Sequence, residues 1–517
     1  MLRNPRFLLG LAAALIAIVA QSGELGSADT MHRLQTAHSF WTSEPPVFPN
    51  EYPEFGLHGR GGKLYDWYGM GQSLLMLPMD IVATGIERLP VFRNYRGNDP
   101  SVRSIVVSYS TNIFVNVLTA LVCLRFLLLL GFSTKQSLAG VLTLLCCTTH
   151  LHYTQNMMEN NYIMLLTLTG FAFQYEWVRS VDRRALLIGS AALGLNLLTR
   201  LTTVLDLMAG GLLVVLLLAQ KRGTFWNRLF TYLRTVLPVY AIFLLIDRIY
   251  QYQRFGSFFK TYVSLFAQKY KQLDPSLPPD YPFETPFRVG FLGPLITPEK
   301  SIFLFDPLIV LTIVISILIW KRMQSEVRAY VTTGLLLLLA YICFYAKYTV
   351  WSGDFAWGDR YVSTAVELAA FISAPLLLRY YASLAKPVRR LGLALVVISF
   401  VIQLASMAFW LPLEIYQMET MGHPTFVIGL RFKNIVALAL GKMEAWGLNN
   451  HAMMEDPWDY IHITTWNFLP FVLRRVGEAP AWVVNTALVL WSAALALLTV
   501  ILQRLAALVR TGTQAQV

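Results

Sequence analysis

The sequence predicts an all-α, polytopic membrane protein, and three observations carry that prediction. Of its 517 residues, 56% are hydrophobic and only 14% charged, where a soluble domain carries about 25% charge. Its mean hydropathy is +0.51, and apolar stretches recur along the chain at lengths that suit a bilayer. The third observation is that Lys and Arg gather in short clusters between those stretches. The net charge of +12 is therefore expected to set orientation and to meet anionic headgroups of membrane lipids. No basic face, zinc-ligand spacing or helix-turn-helix pattern marks nucleic acid as a partner.

A hydrocarbon core of about 30 Å takes roughly 17 to 25 helical residues. Such stretches lie near 6–22, 104–130, 136–151, 161–178, 185–200, 202–219, 231–250, 302–320, 329–346, 362–382, 391–411 and 482–503. The first follows a basic start, Met1-Leu2-Arg3-Asn4-Pro5-Arg6, as a signal peptide would. With apolar segments all along the chain behind it, it reads as an uncleaved span. The four cysteines, Cys123, Cys146, Cys147 and Cys343, all fall inside apolar runs, where a thiol is a small hydrophobe.

The segment 69–91 decides the topology. It is apolar, yet it holds Pro78, Asp80 and two glycines near its start, and counting it as a span would invert every later loop. If it does not cross, the basic connections at 125–135, 179–184, 221–228, 321–328, 386–390 and 504–510 all share the side of Arg3 and Arg6, as the positive-inside rule asks. The expected arrangement is twelve spans with both termini cytoplasmic and 69–91 lying as an amphipathic helix in the outer interface. Four outer segments result, at 23–103, 251–301, 347–361 and 412–481. The expected division is a transmembrane catalytic module over 1–411, including the first outer loop, and a second part over 412–517. Within that second part, 412–481 has the length to pack as a small cap.

Sorted by side, the distinctive polar residues collect at the outer edge. Asp29 follows the first span, with Arg33 and Ala37 behind it, and Glu24 is a second acidic group nearby. Glu159 opens the fourth span, and Arg200 sits in the tight turn between the fifth and sixth. Lys300 enters the eighth in Pro298-Glu299-Lys300-Ser301-Ile302-Phe303, and Arg360 enters the tenth in Trp351-Ser352-Gly353-Asp354-Phe355-Ala356-Trp357-Gly358-Asp359-Arg360-Tyr361. Asp206, Asp247 and Arg248 lie in or near spans, where an ionisable group is a functional candidate; Asp247 and Arg248 can equally pair at a helix edge. His150 and His152 are expected to pack. Each outer group also has a plain reading. Asp29 can be a solvated loop carboxylate, Glu159 a helix-terminal acid, and Lys300 and Arg360 interfacial cations.

Taken together, the set resembles the GT-C superfamily of polyprenyl-phosphate-sugar-dependent glycosyltransferases. It is similar in particular to bacterial members related to protein O-mannosyltransferases, the aminoarabinose transferase of lipid A and the Rgt-type lipopolysaccharide transferases. The carriers are the early Asp29, the run Lys63-Leu64-Tyr65-Asp66-Trp67-Tyr68-Gly69-Met70-Gly71-Gln72-Ser73-Leu74-Leu75, the Pro-x-Lys-Ser-x-Phe run around Lys300, and the Trp351 to Tyr361 run, which is the most specific. The chain departs at Trp67, where those members have a lysine, leaving Lys63 and Arg60 as nearby cations. It also has one Asp rather than an acidic pair in the first loop.

The resemblance implies a GT-C-like bundle that transfers a sugar, with inversion, from a polyprenyl phosphate to a lipid, glycan or protein acceptor on the extracytoplasmic face of the cytoplasmic membrane. It implies Asp29 as general base, with Glu159 supporting the acceptor or a divalent metal, Mg or Mn, whose need is open. Lys300, Arg360, Arg200 and Lys63 would hold the donor phosphate, while Arg60, Asp66, Tyr68, Trp357, Asp359 and Tyr361 line the site. The residue types suit such chemistry, because a carboxylate can take a proton and fixed cations stabilise charge growing on phosphate. Two other readings share these features: a lipid or glycan transporter, and a ligase that moves a whole glycan from a pyrophosphate carrier.

Overall fold

The computed structural model describes residues 4–49, 55–92, 95, 100–220, 222–422, 427–443, 462–476 and 479–511. Helices dominate, and the single sheet among the described residues is a two-stranded antiparallel pairing of Leu57–His58 with Leu64–Tyr65. Seven helices are long and apolar enough to cross a membrane: Val102–Leu129, Leu201–Leu218, Phe225–Phe255, Ser325–Tyr345, Ser363–Ser383, Lys386–Ser406 and Ala481–Leu508. The chain is thus a multi-pass helical membrane protein.

At the other five expected positions the helices are shorter or less apolar. They are Pro5–Ala20, Thr134–Cys147, Asn160–Ser180, Arg183–Leu197 and Leu308–Ile319. The last is cut short because Pro307 cannot continue the preceding turn, and Asp306 leaves the helix to accept the Thr149 N–H at 2.8 Å.

One continuous apolar core joins most of these helices, from Leu8 and Ala12 on the first to Leu498 and Ile501 on Ala481–Thr511. A smaller core of Phe409, Leu413, Tyr416, Ala437 and Ile463 forms outside it. The described part of 408–466, called the cap below, thus has a small core of its own.

The segment 69–91 does form a helix, Gly71–Glu87, with Pro78 inside it. It buries Gln72, Ser73, Met76, Asp80 and Thr84 and exposes Leu74, Ile81 and Val82. Asp80 explains that sidedness. Its carboxylate meets Arg103 Nε at 2.5 Å, the His38 ring at 2.8 Å and the Trp41 indole N–H at 2.8 Å. The polar face is thus spent on neighbouring protein, leaving an apolar face outward.

Candidate active site

The site begins with a helix cap. Ser27 accepts the Thr30 N–H and starts the helix Ala28–Ser39, which places Asp29 in its first turn, where the helix dipole favours an anion. Asp29 and Arg33 are four residues apart and so share a helix face. The Thr30 hydroxyl donates to the Met157 carbonyl at 2.7 Å, docking this helix on the turn before Glu159. Gly26 permits the approach: its φ is +78°, and a Cβ there would stand 2.4 Å from Asn156 Oδ1.

Gly69 and Gly71 do the same for the opposite wall. A Cβ on Gly69 would lie 2.3 Å from the Leu198 carbonyl and one on Gly71 2.1 Å from Thr199 Oγ1. Without side chains, the backbone packs flat, and the Gly71 N–H bonds the Leu198 carbonyl at 2.8 Å. Tyr68 and Arg200, each next to this contact in the chain, are thereby both held at the same cavity.

These elements bring four distant segments into one charged cluster. The Asp29 carboxylate accepts from the Tyr68 hydroxyl at 2.6 Å on one oxygen and from Arg360 Nη1 at 3.0 Å on the other. Glu159 lies at the head of Asn160–Ser180 without capping it. One of its oxygens receives Arg33 Nη1 at 2.5 Å and the other receives Arg200. Arg33 also donates to Gln72 Oε1 at 2.9 Å and stacks over the Tyr68 ring at 4.3 Å. Arg200 and Arg360 both lie over Tyr361, at 5.1 and 5.3 Å.

The cluster borders a cavity of about 750 Å³, counting its mouth. Besides the ionic groups, Trp67, Tyr262, Tyr345, Tyr348 and Tyr361 form its aromatic walls, with Asp247 and Gln251 at one side. Asp247 pairs with the adjacent Arg248.

Charge balance sets the protonation states. Burial works against the Asp29 carboxylate, but Arg360 and Arg33 outweigh it and hold the carboxyl below its ordinary range. Burial opposes ionisation of Glu159 too, and Arg33, Arg200 and Arg360 together hold it far below that range. Tyr68 is pushed well up, by burial first and then by the Asp29 charge, so its hydroxyl stays a donor. Three guanidiniums face two carboxylates, an excess of one positive charge beside an open cavity.

Of the residues singled out in the sequence, Asp29, Glu159, Arg200, Arg360, Tyr68 and Tyr361 meet here. Arg33, Trp67 and Asp247 border the cavity as well, and the remaining candidates do not. Lys300 gives its ammonium protons to the carbonyls of Asp354, Ala356 and Gly358. Asp66 is tied to Arg254 at 2.8 Å and Thr36 at 2.5 Å, and Lys63 borders a separate groove. Arg60 stacks on Tyr252 at 5.1 Å. Trp357 is fully buried, with His152 stacked on it, and Asp359 accepts the Tyr361 N–H at 3.0 Å. Glu24 pairs with His462 at 2.5 Å.

Sequence reasoning missed the cavity roles of Arg33, Gln251, Tyr262, Tyr345 and Tyr348. Only Arg33 had a local signal, its four-residue spacing from Asp29. Among the described residues no group of three or more His, Cys, Asp and Glu is placed to hold a metal. Asp29 spends its oxygens on the Tyr68 hydroxyl and Arg360, and Glu159 on two guanidiniums, so they do not fit a divalent ion in this arrangement.

No protein-family model matches the chain, and no curated protein matches it.

Proposed function

We propose that the protein is an integral-membrane glycosyltransferase that moves a sugar from a polyprenyl phosphate to a hydroxyl acceptor at this cavity. The observation that carries the reading is the surplus guanidinium charge set beside a buried, ionised carboxylate in an aromatic-walled cavity. A lipid-linked sugar phosphate brings an anion for the arginines and a ring for the aromatic faces.

In this reading the fold is a GT-C-like bundle of twelve spans, with the cavity on the extracytoplasmic side of the cytoplasmic membrane. The outward apolar face of Gly71–Glu87 rests in the lipid interface. Transfer forms the bond from acceptor oxygen to anomeric carbon and breaks the bond from that carbon to the phosphate oxygen. The electron pair leaves with polyprenyl phosphate, and the acceptor proton goes to Asp29.

The ion pairs give this step an order. Arg360 neutralises Asp29 in the resting cavity, which keeps the carboxylate ionised but a weak base. A phosphate drawing Arg360 toward itself removes that cation from Asp29 and adds a negative charge nearby, and both changes raise the basicity of Asp29. Arg200 and Arg33 remain on Glu159 and hold the frame. Arg360 then stabilises charge growing on the phosphate, and its planar fork suits phosphate oxygens.

The test is transfer from radiolabelled polyprenyl-phosphate sugar in membranes containing the protein. Asp29→Asn is expected to lower turnover by about 10²- to 10⁴-fold, the usual contribution of a positioned base. Full activity in a correctly inserted Asp29→Asn protein would remove Asp29 from the mechanism. Uptake into vesicles without any covalent product would make the cavity a transport site.

A further inference from the structure

The loop that delivers Arg360 is wound around a buried ammonium. Lys300 is 6% exposed. Its Nζ donates to the carbonyls of Asp354 at 2.7 Å, Ala356 at 2.8 Å and Gly358 at 3.1 Å. Carbonyls two residues apart share one side of an extended chain, but three can reach a single atom only if the chain curls. The curl is built from left-handed residues: Gly353 at φ +75°, Asp354 at +56° and Gly358 at +67°. At Asp354 that conformation is strained for a residue with a Cβ. The convergence of carbonyl dipoles on a positive charge offsets the strain.

The curl acts on Arg360 directly. Asp359 follows the last of the three carbonyls, its side chain holds the Tyr361 N–H at 3.0 Å, and Arg360 lies between them. At the other end of the curl, a Cβ on Gly353 would stand 2.6 Å from Arg360 Cγ. The loop thus folds back against the stem of the arginine that reaches Asp29. A methionine of similar length supplies no N–H, and a planar guanidinium cannot aim three donors at converging carbonyls.

We propose that Lys300 is a positioning residue: its ammonium is the template on which 353–360 closes, and it acts on an anion in the cavity only through Arg360. The templating stands on the loop geometry alone. The second clause rests on the reading of the cavity as a lipid-phosphate site.

The test uses the full chain in lipid nanodiscs. By hydrogen–deuterium exchange, Lys300→Met is expected to speed exchange of amides in 353–361 by about tenfold or more, as for a locally opened segment. The Phe225–Phe255 helix should be unchanged. Lys300→Ala is expected to regain protection with millimolar propylammonium but not with tetramethylammonium, which has no N–H to donate. If Lys300→Met does not insert, the alanine variant purified with propylammonium, then dialysed, supplies the same comparison. Unchanged exchange in 353–361 overturns the templating.

Binding of farnesyl phosphate then decides the second clause. Lys300→Met and Arg360→Gln are each expected to weaken it by about tenfold or more, the scale of a charged hydrogen bond. The double variant should be no weaker than Arg360→Gln alone. Additive losses would make Lys300 a direct anion ligand and overturn the clause. If the unaltered protein binds no farnesyl phosphate, the cavity reading fails, while the exchange result still decides the templating.

Discussion

Two carboxylate–guanidinium clusters in this protein are built to opposite specifications. In the cap, Glu414 and Arg431 are both fully buried and form a one-to-one pair with contacts of 2.6 and 2.8 Å. Arg431 also donates to the Phe409 carbonyl at 3.0 Å and lies over the Trp357 ring at 5.3 Å. In the cavity, Arg33, Arg200 and Arg360 surround Asp29 and Glu159, and empty space adjoins them.

Protonation shows the difference. Burial lifts the Glu414 carboxyl above its ordinary range, and the one arginine does not overcome it. Of the cavity carboxyls Glu159 is nearly as buried and Asp29 only partly, and both lie below theirs, because more guanidiniums act on each. A closed, balanced pair is a packing element with no charge to offer. An unbalanced cluster beside open space has a cation to spare, and an anionic ligand is what would complete it.

The sharpest way to break the comparison is in the cap. Arg431→Ala leaves a buried carboxylate alone and is expected to cost about 3–5 kcal/mol, seen as a lower unfolding temperature in nanodiscs. Glu414→Leu with Arg431→Met should recover most of that loss. If Arg431→Ala were silent, the cap pair would not be the packing element described.

In the cavity the same kind of change should fall on binding rather than on folding. Arg360→Gln removes the cation that turns to the phosphate and is expected to weaken farnesyl phosphate by about 1.5–3 kcal/mol, with a smaller effect on unfolding than Arg431→Ala. The reverse ranking would make the cavity cluster structural.

Acid should separate the two regions by sign. Asp29 and Glu159 have folded values below the ordinary 3.8 and 4.5, so on acidification the unfolded chain takes up their protons first. Their stabilisation is full above about pH 4.5 and is lost as pH falls through the folded values. Glu414 has a raised folded value, so the folded state takes its proton first. Its contribution improves as pH falls through that value toward the ordinary 4.5. Unfolding temperatures against pH should show Glu159→Gln flattening the acid decline and Glu414→Gln leaving it in place.

The smallest effect is expected from Tyr68→Phe, which deletes one hydrogen bond to Asp29, worth about 0.5–1.5 kcal/mol. It should move the acid limb of turnover upward, because that hydrogen bond helps hold the Asp29 carboxyl low.

Much of this was legible in the sequence. Composition made the chain helical and membrane-embedded, and the sidedness of its basic loops gathered Asp29, Glu159, Arg200 and Arg360 before any contact was known. Direction was not legible. Lys300 and Asp66 belong to runs that carry the family resemblance, yet their side chains turn to backbone carbonyls and to Arg254. Neighbourhood in a run does not say which way a side chain leaves the backbone. Tyr262, Tyr345 and Tyr348 carry no local pattern at all, because packing between elements distant in the chain makes them walls. Helix length also escaped in places. Pro307 was readable, but only the structure shows Asp306 leaving its helix for Thr149.

The contact between Asp29 and Arg360 joins residues 331 positions apart, and that has a consequence for biosynthesis. Chains leave the ribosome at about 5–20 residues per second, so Arg360 is made on the order of tens of seconds after Asp29. Glu159 emerges with Arg33 already available but before Arg200. For that interval the nascent protein has the carboxylates of its centre without two of the three arginines that will hold them. The pairing that completes the centre closes a loop containing four of the seven long apolar helices, so a chain stalled before Ser363–Ser383 has helices in the bilayer and no site.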